Sequence, residues 1–231
     1  MTQTNNNQAI ELTIIVGHYG SGKTEFSVNY AIYMQRHGKK VGIADLDIIN
    51  PYFRTREITD ELEEEGIRVI SSILGNKESQ PMDLPSLSPE INVLTQTSQY
   101  FGIIDVGGNP VGATALGRFS DSIKKINYNM YMVVNANRPE TNSVETVVDF
   151  LNGIELKSKL KITGLINNTH LVRETTIEDI LAGDKLVKEV SKHTSLPVVY
   201  CSYVEEMVNL DGYDVAGEKF PMKLLMRPEW L

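Results

Sequence analysis

The segment Gly17–Phe26, GHYGSGKTEF, constrains the fold more than any other part of the chain, and it directly follows the apolar run Ile14–Val16. It has the pattern G-x-x-x-x-G-K-T between a predicted strand and a predicted helix. Glycines let the backbone curl until successive N–H groups point at one anion, and lysine and threonine suit terminal phosphates and Mg²⁺. The segment therefore predicts a phosphate site made of Gly17, Gly20, Ser21, Gly22, Lys23, Thr24 and Glu25.

Short apolar runs alternate with amphipathic segments along the chain, which is typical of a doubly wound α/β fold. We expect a mainly parallel sheet with helices on both faces, in a single domain over residues 1–231 with a frayed polar tail at residues 1–9. The predicted strands are 12–16, 41–46, 67–70, 100–106, 130–135, 162–167 and 198–202. The predicted helices include 23–37, 55–65, 142–152 and 177–193.

Composition limits the classes of partner and of metal site. The formal net charge is −8, which disfavours nucleic acid as the main partner. The single cysteine, Cys201, excludes a disulfide or an all-cysteine metal site within one chain, and we expect it to be a small core residue. We find no signal-peptide pattern and no run of about 18 apolar residues that could span a membrane, so we expect a cytoplasmic protein.

Carboxylates follow two predicted strands. Asp45 and Asp47 end the strand in GIADLD, and Asp105 ends the strand in FGIIDVGG, just before Gly107 and Gly108. Ligands of α/β sheets bind beyond the carboxyl ends of the strands, so these acids should face the phosphate loop. One aspartate of the first pair could hold Mg²⁺ through water, while the other orients or deprotonates an attacking water. Asp105 would join the Mg²⁺ shell, and the glycine N–H groups would meet the γ-phosphate.

The order of phosphate loop, D-x-D, and apolar strand with D-x-G-G resembles the deviant Walker ATPases, the CobQ/CobB/MinD/ParA group of the SIMIBI class. The resemblance implies ATP and Mg²⁺ as ligands, with Asp47 activating water while Thr24, Asp45 and Asp105 support the metal. The stretch GLINNTHL resembles the family's strand ending in G-x-x-x-N, which implies that Asn168 reads adenine. No N-K-x-D guanine motif occurs, which favours ATP over GTP. Tyr203 could stack on the base or pack in the core.

One position departs from the family pattern. The lysine that follows the first glycine in the deviant Walker motif, and reaches a partner's nucleotide, is His18 here. The remaining cations near the motifs are Arg54, Arg56 and Arg138, and an arginine finger needs such a planar, permanent charge. We therefore expect slow hydrolysis by a monomer or loose dimer, stimulated by a protein partner or by nucleotide-dependent pairing.

Three functions are compatible with these motifs. The first is an ATP-dependent switch or assembly factor that acts on an unidentified protein partner. The second is a synthetase of the dethiobiotin or cobyrinate type, although the D-x-D pair favours hydrolysis. The third is metal-centre assembly, which the lone cysteine disfavours. The connection at residues 71–99 is either a partner-binding crossover or a surface loop.

Overall fold

A computed structural model describes residues 11–46, 59–71 and 91–226 of the chain. Its strands are β1 Glu11–Gly17, β2 Val41–Asp45, β3 Arg68–Ser71, β4 Phe101–Asp105, β5 Asn127–Val134, β6 Gly164–Asn167, β7 Val198–Val204 and β8 Glu218–Met222. They form one sheet in the order β3-β2-β4-β1-β5-β6-β7-β8, and every neighbouring pair is parallel. Parallel strands need crossover connections, and helices supply them here except between β7 and β8, where residues 205–217 contain no helix.

The α-helices are α1 Lys23–Arg36, α2 Thr59–Glu64, α3 Asn92–Gln96, α4 Pro110–Gly117, α5 Ser120–Ile123, α6 Val144–Ser158 and α7 Ile177–Thr194. Buried side chains of α3 to α7 pack in one apolar cluster, and those of α1 and α2 pack in another. Along β1, Ile14 and Val16 belong to the first cluster while Ile15 belongs to the second. Because side chains alternate across a strand, the two clusters cover opposite faces of the sheet.

The doubly wound α/β fold predicted from the sequence is confirmed. All seven predicted strands are present, with boundaries that differ by up to three residues. The sequence did not predict strand β8, because EKFPM contains Pro221 and proline normally argues against a strand. Proline is tolerated here because β8 lies at the edge of the sheet. The helices α4 and α5 were also missed, since α5 is short and the sequence of α4, PVGATALG, is typical of a glycine-containing loop.

Some predictions fall outside the described residues: the polar tail at 1–9, the start of the helix predicted at 55–65, and most of the 71–99 connection. Within the described part of the chain, no helix is both long enough and apolar enough to cross a membrane.

The sheet positions the site because its parallel strands all end at the same edge. β1 ends at Gly17, β2 at Asp45 and β4 at Asp105. β4 lies between β1 and β2, with Asp105 in register with both Asp45 and Ile15. The phosphate loop and two of the predicted acids therefore meet at one end of the sheet, as the order of strands requires.

Candidate nucleotide-binding site

The loop between β1 and α1 has the backbone shape of an anion site. Gly20 and Gly22 take left-handed conformations, with φ of 74° and 82°. Gly22 is the N-cap of α1, and no side chain caps this helix end. The N–H groups of the first turn are thus oriented toward the loop, where the positive end of the helix dipole also favours an anion.

Lys23 lies over this loop. Its Nζ donates a hydrogen bond to the His18 carbonyl at 3.1 Å, and the residue is only 7% exposed. A Cβ placed on Gly108 would lie 2.8 Å from Lys23 Nζ and 2.6 Å from the Tyr19 backbone nitrogen. The loop after β4 therefore approaches the phosphate loop so closely that only glycine fits at position 108. A shift of either loop would displace the other.

Asp105 contacts Thr24, and Asp45 lies beside Asp105 on the neighbouring strand. The Thr24 hydroxyl donates to Asp105 Oδ2 at 2.6 Å, and Asp45 and Asp105 are 3% and 2% exposed. Both side chains emerge at one register position of adjacent parallel strands, on the same face of the sheet. Carboxylate and hydroxyl oxygens suit Mg²⁺, which is usually held by one or two carboxylates together with substrate phosphates. The described residues contain no group of three or more His, Cys, Asp or Glu side chains that could hold a metal alone.

Asn168 contacts the phosphate loop from the end of β6. Its Nδ2 donates to the Ser21 carbonyl at 2.7 Å, and its Oδ1 accepts from the Ser202 hydroxyl at 2.9 Å. The residue is 2% exposed, so the amide is held in a fixed orientation. Each amide atom can still make one more hydrogen bond, since the NH₂ group carries two hydrogens and the carbonyl two lone pairs. The adenine-reading role stays a prediction, and a structural role in holding the loop is added to it.

A cavity of about 260 Å³ extends from the phosphate loop past Asn168. Its far end is mainly apolar and is lined by Val172, Tyr203, Val204, Met222, Leu224 and Met226. Tyr203 thus lies at the cavity, whereas Tyr200 packs among Phe26, Tyr30 and Phe220. A cavity with phosphate-binding groups at one end and an apolar end of this kind is suited to a nucleotide.

The segment after β8 forms part of the cavity wall, a role that the sequence did not indicate. Glu25 accepts hydrogen bonds from the backbone N–H groups of Leu225 and Met226. Asn29 exchanges two hydrogen bonds with the backbone of Lys223, at 2.9 and 3.0 Å. Glu25, which the sequence predicts to bind the nucleotide, therefore holds the segment after β8 against α1. These hydrogen bonds join residues about 200 positions apart in the sequence, and no local sequence pattern predicts them.

Val172 is a second wall residue that the sequence does not reveal. Its φ is 57°, a left-handed conformation that is strained for a β-branched side chain. Two hydrogen bonds hold it there: the Thr175 hydroxyl donates to its carbonyl at 2.6 Å, and its N–H donates to His170 Nδ1 at 3.2 Å. The structure thus maintains local strain at the apolar end of the cavity.

The remaining predicted residues are placed as follows. The ring of His18 packs edge-on against Phe150 of α6, with centroids 5.2 Å apart. Cys201 is fully buried in a small apolar cluster, and burial raises the pKa of its thiol to about 12. The residues Asp47, Arg54 and Arg56 lie outside the described residues, whereas Arg138 contacts the phosphate loop.

Two glycines with the same backbone angle allow a matched test of the loop geometry. Gly22 and Gly38 both have φ of +82°, but a Cβ on Gly22 would lie 2.3 Å from Asn168 Nδ2, whereas a Cβ on Gly38 would meet nothing within 4 Å. Gly38→Ala should cost only the left-handed strain, about 1 kcal/mol. Gly22→Ala should add a clash that displaces Asn168 from the Ser21 carbonyl, and should weaken nucleotide binding at least about tenfold.

Chemical denaturation and nucleotide titration of both variants would check this difference. Equal nucleotide affinity in Gly22→Ala and Gly38→Ala would show that the close approach of Asn168 to the loop is not required for binding.

Comparisons with known proteins show similarity in the fold. No protein-family model and no curated protein matches the chain. The signal recognition particle receptor FtsY from Elizabethkingia anophelis, solved in complex with GDP, is 18% identical with a TM-score of 0.54, over 86% of this chain and 58% of that one. FtsY from Thermotoga maritima is 18% identical with a TM-score of 0.52, over 82% of this chain and 60% of that one. FtsY from Mycoplasma mycoides is 16% identical with a TM-score of 0.51, over 81% of this chain and 58% of that one.

This chain spans about three-fifths of the length of the FtsY chains it matches. At these identities the likeness concerns the fold alone. The chain has an α/β fold of the P-loop NTPase type.

Proposed function

We propose that this protein is a Mg²⁺-dependent nucleoside triphosphate hydrolase of the deviant Walker type that acts as a nucleotide-dependent switch. One observation carries the proposal: an uncapped helix N-terminus, Lys23, and the Thr24–Asp105 hydrogen bond converge at one end of the cavity. Cationic and anionic groups so close together suit a phosphate chain with its metal ion. The anion would contact the loop, and the cation the carboxylates.

Each group has a defined role in this proposal. The Lys23 ammonium and the backbone N–H groups of the loop hold the β- and γ-phosphates in place. The Thr24 hydroxyl with Asp45 and Asp105 would hold Mg²⁺, which neutralises charge that develops on the phosphates. Asp47 orients a water molecule and accepts its proton as the water attacks the γ-phosphorus. Binding and chemistry are thus assigned to different residues.

The switch property rests on the contact between two loops. Gly108, which follows the strand ending in Asp105, lies against Tyr19 and Lys23 so closely that a Cβ would not fit. A γ-phosphate at this junction would contact both loops, and its release would remove the contact that holds them together. The loops would then present different surfaces to a protein partner before and after hydrolysis.

ATP is proposed as the nucleotide. The sequence has no N-K-x-D motif, and Asn168, which lines the cavity beside the phosphate loop, has an amide that can both donate to and accept from adenine. Titration calorimetry with Mg-ATP and Mg-GTP would test this choice. Tighter binding of Mg-GTP than of Mg-ATP would contradict it.

Phosphate release measured with no acceptor molecule present separates a hydrolase from a synthetase. We expect slow, Mg²⁺-dependent release of inorganic phosphate from the purified protein alone. Release that occurs only after a carboxylate or amine acceptor is added would favour the synthetase of the dethiobiotin or cobyrinate type instead.

Asp47 and Asp45 should differ in their effects when each is replaced. Asp47→Ala should bind Mg-ATP normally and hydrolyse it about 100-fold more slowly, because a general base acts mainly in the transition state. Asp45→Ala should instead raise the Mg²⁺ concentration needed for activity. Rates measured across a Mg²⁺ titration would distinguish the two variants, and the opposite pattern would reverse the two assignments.

A further inference from the structure

Arg138, in the turn after β5, reaches the phosphate loop from within the same chain. Its Nε donates a hydrogen bond to the Gly20 carbonyl at 3.1 Å. The centre of its guanidinium, Cζ, would lie 3.0 Å from a Cβ placed on Gly20. The guanidinium therefore packs against the middle of the loop, and Arg138 and Lys23 line the same cavity.

The turn that carries Arg138 is held in place by hydrogen bonds. Asn135, fully buried at the end of β5, accepts through its backbone carbonyl from the Thr141 hydroxyl at 2.7 Å and from the Arg138 N–H at 3.1 Å. The Asn135 side chain bonds the backbone of His170 in both directions, at 3.2 and 3.3 Å. Asn137 donates to Asp179 of α7 at 3.0 Å. The arginine thus sits on a preorganised turn.

The charge of Arg138 has no carboxylate within ion-pair distance among the described residues. The bond to Gly20 uses one of the five N–H donors of the guanidinium, which leaves four for a ligand. The half-buried guanidinium of Arg138 lines the same cavity as Lys23, so an anion bound in that cavity could contact both side chains. The planar fork of the guanidinium matches two oxygens of a phosphate.

We propose that Arg138 is a catalytic residue supplied in cis, which stabilises the γ-phosphoryl group during hydrolysis. This inference rests on the proposed function. In the step, the water oxygen forms a bond to the γ-phosphorus, and the bond from the γ-phosphorus to the bridging oxygen breaks. The electron pair of that bond goes to the nucleoside diphosphate, and the water proton leaves through the base to solvent. Arg138 donates to the oxygens whose negative charge grows.

The position of His18 agrees with a charge supplied in cis. In the deviant Walker pattern this position carries the cation that crosses to a partner. Here the ring packs against Phe150, and its Nδ1 lies 3.8 Å from Glu140 Oε2 and 3.2 Å from the Tyr19 carbonyl. If Arg138 provides the charge, a second copy is not needed, and the rate per molecule is independent of protein concentration.

The test compares Arg138→Ala and Arg138→Lys with Arg36→Ala, whose side chain pairs with Glu65 at the far end of α1. Single-turnover hydrolysis and calorimetric affinity for Mg-ATP are measured for each variant. We expect Arg138→Ala to hydrolyse about 100-fold more slowly while its affinity changes less than about tenfold. Arg138→Lys should be intermediate, because it keeps the charge but loses the planar fork. Arg36→Ala should match the wild type.

Chemical rescue adds a readout that a structural role would not affect. Millimolar guanidinium should raise the rate of Arg138→Ala, but not that of Arg36→Ala or the wild type. The inference is overturned by an unchanged rate in Arg138→Ala, by a loss of affinity equal to the loss of rate, or by a wild-type rate that rises with protein concentration. A wild type that fails to bind Mg-ATP overturns the proposed function itself, and the calorimetry alone would show it.

Discussion

Lys23→Ala should lose about 1,000-fold in affinity for Mg-ATP. The ammonium is buried over the loop and lies next to the loop after β4, where a γ-phosphate would sit. Each hydrogen bond between an ion and a phosphate contributes roughly 1.5–3 kcal/mol, so the loss of contacts to two phosphates gives an effect of this size. Titration calorimetry of Mg-ATP into wild type and variant measures it directly.

Lys219→Ala is the matched control. Lys219 also donates its Nζ to a backbone carbonyl, that of Leu210 at 2.7 Å, but it lies on β8 and does not line the cavity. We expect unchanged affinity in this variant. If Lys23→Ala binds Mg-ATP as tightly as Lys219→Ala does, the phosphate site is wrongly assigned.

Asp105→Asn should lower hydrolysis about 1,000-fold and should raise the Mg²⁺ concentration needed for the remaining activity. Asparagine keeps the size of the side chain and can still accept the Thr24 hydroxyl, so the substitution removes mainly the charge. The metal contributes several kcal/mol to the transition state, and each 1.36 kcal/mol corresponds to a factor of ten in rate. Steady-state rates measured across a Mg²⁺ titration would check both effects.

The same substitution should not destabilise the metal-free protein. Asp105 lies in register with Asp45 on the neighbouring strand, and both carboxylates are buried, so removing one charge relieves repulsion. The control is Asp184→Asn. Asp184 is also buried and pairs with Lys188 at 2.7 Å, and its replacement should lower the unfolding temperature without changing the Mg²⁺ requirement. A fall in the stability of metal-free Asp105→Asn would assign Asp105 a structural role.

The periodicity of the sequence was enough to predict the sheet and the main helices. Buried parallel strands such as Ile14–Val16 are continuous apolar runs, and the phosphate loop has fixed spacing, so both leave a local signal. The edge strand β8 has neither property: its sequence contains Lys219 and Pro221, and only pairing with β7 makes it a strand. Its assignment depends on the tertiary structure, which a local pattern does not contain.

The candidate site could be proposed in part from the sequence. Lys23 and Thr24 were proposed from the fixed spacing of the phosphate-loop motif, and Asp105 from its place at the end of an apolar strand. The positions of the others depend on contacts over long sequence separations. Asn168 bonds the loop 147 residues before it, and Arg138 bonds the loop 118 residues before it. Sequence reasoning could propose both as candidates, but only the fold shows that they touch the same loop.

A crystal structure with Mg²⁺ and a non-hydrolysable ATP analogue would show whether ATP and Mg²⁺ bind at the phosphate loop. We expect phosphates within hydrogen-bond distance of the loop from Gly17 to Thr24, and Mg²⁺ next to Thr24 and Asp105. We also expect the base at the apolar end of the cavity and the Arg138 guanidinium on the γ-phosphate. An analogue bound elsewhere, or bound with its phosphates away from Lys23, would contradict the account.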